Sequence, residues 1–405
     1  SSQHAVRAMA HLAASGDEWI RAKDLAEAAD VPFHYLAKLL GLMVRAGLLE
    51  ATRGAILARQ SAGIPLLLEQ LRSGDKAVSG IALRTARELQ GRDVTEALGA
   101  ELDRTTPERQ VMLLLALADR GDAAVLPKVL QVARNGSKPT RVATLELLDR
   151  FGDPSCVPVL LNAAAEGDAD LTRTAKATLT RMEGKPVDAA LLAWLPQVSG
   201  KLRQMIIELA ALRRIEAAVP AIMASVEDAD AGIRRASLDS LRVLGSDQQA
   251  ADLVRLLSKT QNAQDRAGIE KALAAIGGRN GPRCLPHVLP LARNNDSTLR
   301  EIALRILASI GGSDALAAVK AALDDREESV QDEAVGTLAT WPNNWPDDAA
   351  VAEPLLALAK SGKKTSHQVQ GARGYLLHLQ ENKKASNADK LGALSGQLPS
   401  LKQPA

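Results

Sequence analysis

The sequence predicts an all-α protein in which stacked helix pairs form a right-handed α–α superhelix behind a different, smaller helical head. Three observations support this fold class: glycine recurs at a near-constant interval, each interval holds two amphipathic helices, and large aromatic side chains are scarce. Aromatic residues make up 2% of the 405 residues, whereas hydrophobic residues make up 46%. A core of small aliphatic side chains suits thin layers of closely packed helices better than one large globular core.

Glycine follows an amphipathic helical stretch at seven regularly spaced positions. Successive gaps are 30, 31, 32, 61, 33 and 34 residues, and the gap of 61 corresponds to two periods. A left-handed residue often closes a helix, and glycine adopts that conformation without steric cost. Such a period with two helices per unit is typical of helical repeat proteins. The seven positions are Gly91, Gly121, Gly152, Gly184, Gly245, Gly278 and Gly312.

The second helix of each unit carries apolar and small residues at the spacing of one α-helical face. The positions follow i, i+3, i+4, i+7, i+8 and i+11. Apolar residues on a second edge indicate that each helix packs against neighbours on two sides. In two units the stripes consist of Ile233, Ala236, Ser237, Ser240, Leu241 and Leu244, and of Leu299, Ile302, Ala303, Ile306, Leu307 and Ile310.

An aspartate precedes these second helices and an arginine follows four residues later, as in Asp230 with Arg234 and Asp296 with Arg300. The aspartates are expected to cap the free N–H groups of the helix N-terminus. This pattern resembles that of HEAT repeats, which implies a HEAT solenoid over residues 64–382 and a polar tail over residues 383–405. We predict ten helix pairs, beginning near residues 64, 92, 122, 153, 185, 216, 246, 279, 313 and 347.

The resemblance to HEAT repeats implies a surface that binds a protein partner. The second helices carry an excess of basic residues, which would line such a surface. The alternative interpretation is a row of arginines that pair with the aspartates of the turns. The net charge of the chain, +2, does not decide between them. The predicted partner surface consists of Arg203, Arg234, Arg235, Arg242, Arg300 and Arg305.

Residues 1–60 do not follow the repeat, although they contain three of the eight aromatic residues. Their pattern predicts three helices, at about residues 2–15, 22–29 and 32–46, with Asp30 as the cap of the third. The link between the second and third helices is short, as a helix-turn-helix requires. The head is therefore predicted to be a separate three-helix element in front of the repeats.

The order and spacing of five stretches of the head are informative: His4–Ala13, Ala22–Ala26, Val31–Leu40, Arg45–Leu49 and Arg53–Gly54. They resemble the Rrf2 family of bacterial winged-helix transcription regulators. The family's wing hairpin, dimerisation helix and iron–sulfur cysteines have no counterpart, so we expect a shortened wing and no cluster. Residues 31–60 carry a local charge of +3, from four basic residues and one acidic residue. The resemblance implies that DNA is contacted by His34, Tyr35, Lys38 and Arg45 on the third helix and by Arg53 near the wing.

No motif in the sequence points to an enzyme, and no cofactor or metal site is predicted. The pairs His4 with His11 and His367 with His378 could each share a helix face, but neither pair has an evident third ligand. The two cysteines, 128 residues apart, are expected to be buried and unpaired. A lyase or a DNA-repair enzyme of HEAT type is a remote alternative, because the repeats offer no convergent acids.

These features predict a non-enzymatic, cytoplasmic transcription regulator that binds DNA through residues 30–59 and a protein partner through its repeats. No run of 18 apolar residues occurs, and we expect neither membrane contact nor a small-molecule substrate. The alternative is a scaffold of HEAT repeats, periplasmic if the chain is exported, whose head only covers the first repeat.

Overall fold

The computed structural model describes residues 7–8, 10–11, 22–151 and 153–397, and these residues form helices and turns without a β-strand. The chain divides into two compact units, residues 1–184 and 185–405, here called unit 1 and unit 2. The all-α repeat fold predicted from the sequence is confirmed. Among the described residues, none of the helices is long and apolar enough to span a membrane.

Unit 1 contains the head and four helix pairs. Most of the predicted first helix of the head, and with it His4, lies outside the described residues. In each pair the second helix packs against the second helix of the next pair, and α2 packs against α4 in the same way. The helices of unit 1 are α1 (Ala22–Ala28), α2 (Phe33–Arg59), α3 (Ile64–Arg72), α4 (Lys76–Glu88), α5 (Arg92–Glu101), α6 (Pro107–Arg120), α7 (Leu126–Asn135), α8 (Lys138–Leu147), α9 (Cys156–Ala165) and α10 (Ala169–Arg181).

Unit 2 contains six helix pairs and a final short helix in the polar tail. Its second helices, α12, α14, α16, α18, α20 and α22, each contact the next one along the chain. The helices are α11 (Lys185–Trp194), α12 (Gly200–Leu212), α13 (Val219–Ala224), α14 (Ala231–Leu244), α15 (Ala250–Lys259), α16 (Ala263–Asn280), α17 (Leu285–Val288), α18 (Ser297–Ile310), α19 (Ser313–Ala322), α20 (Glu328–Asn344), α21 (Ala352–Ser361), α22 (Thr365–Glu381) and α23 (Asn387–Gln397).

The two predicted aspartate caps, Asp230 and Asp296, are present at the starts of α14 and α18. The Asp230 carboxylate accepts a hydrogen bond from the Gly232 N–H at 2.7 Å, and Asp296 accepts one from Thr298 at 2.9 Å. Each cap satisfies an N–H group that the first turn of a helix leaves without an intrahelical partner. Second helices such as α6, α8 and α12 begin without a side-chain cap.

The spaced glycines end helices in some pairs but not in all of them. Gly121 ends α6 with the expected positive φ of 66°. Gly312 also has a positive φ, 87°, but it is the N-cap of α19, and Gly311 ends α18. Gly245 instead has a φ of −66°, and Gly278 lies inside α16, which continues to Asn280 before Gly281 ends it at a φ of 56°. Gly152 lies outside the described residues. The glycine spacing thus marked the repeat correctly without marking every helix end.

Two tryptophans take the place of a closing glycine at the end of α20. The Trp341 ring is buried, and its indole N–H donates to Asp348 at 3.0 Å. The Trp345 indole N–H donates to the Ala308 carbonyl at 2.8 Å, and its ring lies so close to Gly311 that a Cβ there would overlap it. The large rings therefore fill the space between α18 and the following turn in this atypical pair.

Glycine also allows α22 to approach the helices around it. A Cβ on Gly374 would lie 2.8 Å from the Ala339 Cα and 2.9 Å from the Ala339 carbonyl oxygen. Both obstacles are backbone atoms of α20, which cannot rotate away. Gly336, in the interior of α20, has only the Gln370 side chain within 4 Å of an added Cβ, at 3.9 Å.

Gly374→Ala is therefore expected to lower the free energy of unfolding by about 1–3 kcal/mol, the usual cost of overpacking a core. Gly336→Ala is the matched control, because alanine favours a helix interior by about 0.5–1 kcal/mol where space allows. Urea denaturation of the full chain measures both. A control as unstable as Gly374→Ala would contradict the proposed close approach.

Candidate functional site

The described part of the head is a small core formed by α1, the following turn and the start of α2. Leu25, Ala29, Val31 and Leu36 are buried there. Asp30 does not cap α2 as predicted, because it occupies the turn with a left-handed φ of 51° and α2 begins after Pro32. Aspartate tolerates this conformation better than most residues do. The short α1–turn–α2 arrangement is that of a helix-turn-helix.

The first turns of α2 present the predicted DNA-contacting side chains unequally. His34 and Lys38 are exposed, and they lie on one face together with Arg45 two turns later. Tyr35 is half-buried and packs against the head core. Phe33, which was not predicted to contact DNA, is 53% exposed beside His34. The exposed N-terminal face of α2 is therefore formed by an aromatic ring, an imidazole and a lysine.

The predicted wing is absent from the described residues, because α2 continues as one helix to Arg59. The prediction that the third helix ends near residue 46 is therefore wrong, and so is the placement of Arg53 near a wing. Residues 46–59 contain four alanines, three leucines and two arginines, which favour a helix strongly enough to tolerate Gly47 and Gly54. Burial of Ile56 holds this part of the helix in place.

Two of the predicted DNA-contacting arginines are engaged within unit 1. Arg53 forms ion pairs with Glu88 on α4 and with Glu50 on its own helix. The Glu88 hydrogen bond, more than any other cause, raises the pKa of Arg53 above its ordinary value. Arg45 forms an ion pair with Asp75, the cap of α4. The second half of α2 therefore contacts the first repeat rather than an open surface.

The second helices share one structurally equivalent position, the fourth residue after the N-cap, which we call the rung position. In unit 2 three of the four arginines at this position, Arg234, Arg266 and Arg300, connect the turn before their own helix to the next helix pair. The Arg300 guanidinium donates to the Asn294 and Asn295 carbonyls at 2.8 and 3.1 Å and binds both oxygens of Asp325 at 2.9 and 2.8 Å. The rung positions are Ser79, Gln110, Arg141 and Thr172 in unit 1, and Arg203, Arg234, Arg266, Arg300, Gln331 and Gln368 in unit 2.

We call this set of contacts, from the arginine to a turn carbonyl and to a carboxylate of the next pair, a rung. Arg234 and Arg266 form two further rungs in unit 2. Arg234 donates to the Asp228 carbonyl at 2.9 Å and to the Asp265 carboxylate at 3.0 Å. Arg266 donates to the Thr260 carbonyl and, at 3.3 Å, to the Asp296 carboxylate. Burial is the largest single influence on Asp325 and opposes its ionisation, but the hydrogen bonds from Arg300 and the Glu327 N–H, together with the charge of Arg300, hold the pKa of that carboxyl below its ordinary value. The rungs are charge-assisted links between successive pairs.

The structure thus corrects the predicted partner surface. Arg300 is 3% exposed, so the prediction that it faces a partner is wrong. Arg234 is held in its rung, and Arg305 is held by Glu270 at 2.7 and 3.0 Å and by Glu333 at 2.7 Å. Arg242 is exposed with a 3.3 Å contact to Asp239. Arg203 and Arg235 remain without a carboxylate partner among the described residues. The alternative of pairing with turn aspartates describes Arg300 with Asp325, whereas Arg305 and Arg242 pair with acids on helices.

The histidines of the last pair are structural. His367 is buried and its Nε2 lies 2.6 Å from an Asp332 oxygen. His378 is also buried, and its Nδ1 has no hydrogen-bond partner among the described residues. Burial lowers the pKa of His378 below its ordinary value, and the nearby Asp348 carboxylate only partly offsets that effect. Within the described ranges, no three potential ligands cluster in a way that would hold a metal ion.

Burial also determines the ionisation of the two cysteine thiols. Both are free and buried, and desolvation raises the pKa of Cys156 to about 12. The Cys284 thiol is shifted in the same direction for the same reason. A thiol that does not ionise near neutral pH is a poor nucleophile and a poor metal ligand. The cysteines therefore act as small apolar core residues.

Unit 2 contains an open groove of about 990 Å³ between the segment before α18 and helix α19. Its walls are the rings of Pro286 and Pro290 and the methyl groups of Ala317 and Ala321. Of its two carboxylates, Asp325 is occupied by Arg300, and Asp314 lies on α19. The groove brings together no nucleophile and general base.

Arg300→Leu is expected to lower the free energy of unfolding by about 3–5 kcal/mol, because it leaves the Asp325 carboxylate without its guanidinium partner. Arg235→Leu serves as the control, since an exposed arginine without an ion pair usually changes stability by no more than about 0.5 kcal/mol. The urea midpoint and the slope of the transition measure both variants. Equal midpoints for the two variants would show that the rung does not stabilise unit 2.

Stability is expected to fall as the pH drops below about 6.5, because the unfolded chain then binds a proton at His378 that the folded chain binds less readily. His378→Leu removes that proton, so its urea midpoint should change less than the wild-type midpoint between about pH 7.5 and pH 5.5. The comparison is made on the change with pH and not on the midpoint at one pH. A variant with the same pH dependence as the wild type would contradict the assignment to His378.

Family comparisons support both halves of the description. Residues 1–68 match the Rrf2 family, described as an iron-dependent transcriptional regulator, and residues 270–339 match the HEAT repeats. The matched head contains no cysteine, since Cys156 and Cys284 both lie outside it. No curated protein sequence matches the chain.

Several solved structures resemble the chain at low sequence identity. The karyopherin Kap121p bound to the SUMO protease Ulp1p is 13% identical with a TM-score of 0.49, over 83% of this chain and 43% of the karyopherin. Human deoxyhypusine hydroxylase is 18% identical with a TM-score of 0.28, over 70% of this chain and 97% of that enzyme. The chain thus spans less than half of the karyopherin's length.

Proposed function

We propose that this protein is a non-enzymatic, cytoplasmic regulator of transcription that binds DNA through its head and a protein partner through its repeats. The observation that carries the proposal is the exposed N-terminal face of α2, which follows a helix-turn-helix turn within the segment that matches the Rrf2 family. In helix-turn-helix proteins the N-terminal residues of the second helix contact base edges in the major groove.

The contacts available to DNA are few. Lys38 and His34 are exposed on the DNA-facing side, whereas Arg45 and Arg53 are neutralised by carboxylates of unit 1. Lys23 on α1 is also exposed and can reach a phosphate. Since each neutralised phosphate contributes to affinity by releasing counterions, a head with so few free cations should bind one duplex site weakly. A protein partner on the repeats would then supply the remaining affinity through a second contact.

The repeat units supply the protein-binding part of the proposal. Stacked HEAT-type pairs present long surfaces that are suited to protein partners rather than to small substrates. The groove beside α19 brings together no catalytic pair, and the buried thiols are protonated near neutral pH. These observations support an interaction protein over an enzyme of the lyase or DNA-repair type.

A second candidate function is favoured by the ion pairs of α2. Arg53 with Glu88, together with the buried Ile56, makes the second half of α2 a cap on the first repeat. A scaffold that does not bind DNA, periplasmic if exported, would need this cap and nothing more from the head. The two candidates differ in whether the exposed side chains of the first half of α2 contact DNA.

The DNA-binding proposal predicts that the full chain binds a mixed-sequence DNA duplex with an affinity that falls from about 50 to about 200 mM salt. Fluorescence anisotropy with a labelled duplex measures this. Lys38→Ala should weaken binding at each salt concentration and reduce the slope of log Kd against log salt by about 1, because it removes one phosphate contact. His34→Ala should weaken binding without changing that slope, since a neutral imidazole releases no counterion.

Lys201→Ala is the matched control, because Lys201 is an exposed lysine of unit 2 far along the sequence from the head. Its binding curve should overlay that of the wild type. No binding at the lower salt concentration would exclude the regulator and favour the scaffold. Equal losses for Lys38→Ala and Lys201→Ala would show that DNA contacts the chain non-specifically rather than through α2.

A further inference from the structure

Arg203 occupies a rung position whose rung is incomplete. Its Nη2 donates to the Ser225 hydroxyl at 2.9 Å, which is the one hydrogen bond of its side chain among the described residues. The other rung arginines of unit 2, at 234, 266 and 300, each bind at least one turn carbonyl and one carboxylate of the next pair. Arg203 has neither kind of acceptor.

Local backbone geometry sets the turn before α12 apart from the turns of the other three unit 2 arginines. Helix α12 begins at Gly200 with a φ of 55°, and its N-cap Ser199 makes no side-chain cap. The helices of Arg234, Arg266 and Arg300 instead start from an aspartate or asparagine whose side chain caps the first turn. Among the described residues, no turn carbonyl accepts a hydrogen bond from Arg203.

The acids of the next turn accept hydrogen bonds from backbone N–H groups. An Asp228 oxygen accepts from the Asp230 N–H at 2.9 Å, and an Asp230 oxygen accepts from the Gly232 N–H at 2.7 Å. These bonds close the turn between α13 and α14 and hold both carboxylates in place. Neither aspartate forms an ion pair with Arg203.

Burial makes the incomplete rung costly. The Arg203 Nε atom is buried and has no hydrogen-bond acceptor among the described residues. A buried donor without an acceptor costs about 1–3 kcal/mol, and more when the group is charged. The Ser225 hydroxyl cannot serve Nε as well, because it already accepts from Nη2 and donates to the Ala221 carbonyl at 2.8 Å. The guanidinium thus retains unused donors beside a fixed hydroxyl.

We infer that Arg203 and Ser225 form a docking site for a carboxylate carried by an acidic side chain of the protein partner, which would complete the rung in trans. This inference rests on the proposed function, since it names the chemistry by which the repeats hold their partner. The exposed cations Lys201 and Arg235 lie close in sequence to Arg203 and to its counterpart Arg234. They favour an acidic partner segment over a neutral one.

The equivalent rungs indicate a carboxylate rather than a phosphate. Arg234, Arg266 and Arg300 are each completed by an aspartate, and Arg300 shows the two-oxygen geometry that a carboxylate offers a guanidinium. The committed carboxylates of Asp228 and Asp230 add negative charge near the site. A phosphate dianion would be repelled more strongly than a single carboxylate.

The test uses the full chain labelled with ¹⁵N at arginine and follows the Nε–H resonances, with that of Arg203 assigned from its loss in Arg203→Lys. An acetylated and amidated hexaglutamate peptide is the probe, and a hexaglutamine peptide is its neutral match. The Arg203 resonance should shift saturably with hexaglutamate and not with hexaglutamine. The Arg300 resonance, already bound to Asp325, should not move.

Two variants give the same test a second measurement. Arg203→Gln should weaken binding of labelled hexaglutamate by about fivefold or more, the loss expected for a charge-assisted pair. Arg235→Gln, which removes an equal but exposed charge, should weaken it less than about twofold. Circular dichroism checks that both variants remain folded, and the NMR titration of the wild-type chain does not depend on either variant.

Equal losses for the two variants, or an Arg203 resonance that does not move, would overturn the inference. So would an equal or larger shift with inorganic phosphate, because the site would then recognise a phosphate and not a carboxylate. None of these results depends on DNA. DNA binding through Lys38 without binding of hexaglutamate would therefore reject only the carboxylate site. Absence of DNA binding would instead reject the proposed role as a transcription regulator.

Discussion

The rung of guanidinium, turn carbonyl and carboxylate is the interaction on which the structure of unit 2 depends. An isolated helix pair leaves the carbonyls of its turn without partners, and it cannot bury its apolar stripe alone. Arg300 donates hydrogen bonds to the carbonyls of Asn294 and Asn295 in its own turn. Its ion pair with Asp325 links α18 to the next helix pair. One side chain thereby closes its own turn and fixes the spacing of the stack. Because the group is buried, each bond is stronger than it would be at the surface and more costly to lose.

The repeat could be predicted from sequence because its information is local. The stripe that includes Ile233 and Leu241 and the caps Asp230 and Asp296 each depend on residues within one helix or turn, so spacing alone locates them. The role of the arginines is not local in this way. Arg300 and Asp325 are 25 residues apart, and only the folded pair brings them together. A count of basic residues therefore described as an open surface what is largely an internal network.

In the head, the prediction from the family resemblance was wrong where the local helix propensity of the sequence would have been right. The resemblance placed a wing after residue 46, but the alanine- and leucine-rich sequence that follows continues as helix to Arg59. One continuous helix, α2, therefore contacts both the head core and the first repeat within unit 1. Its first turns pack on Leu25 and Val31, and its last turns pack on α4 through Ile56 and the Arg53–Glu88 pair. A rigid helix shared by head and repeat can transmit a change in one to the other, which a flexible wing could not do.

The exceptions within the rung series carry information that the regular members do not. At Gln331 and Gln368 the amide still donates to a turn carbonyl, of Asp325 and Gly362, without bringing a charge into the interface. Glutamine is thus sufficient where only the turn must be closed. Arg203 has the reverse combination, because it carries the charge but closes no turn and meets no acid within unit 2. Within the isolated chain a glutamine at 203 would bond Ser225 equally well and would avoid a buried, unpaired Nε–H. The inferred carboxylate of a partner would supply at Arg203 the kind of acceptor that Arg234, Arg266 and Arg300 find within unit 2.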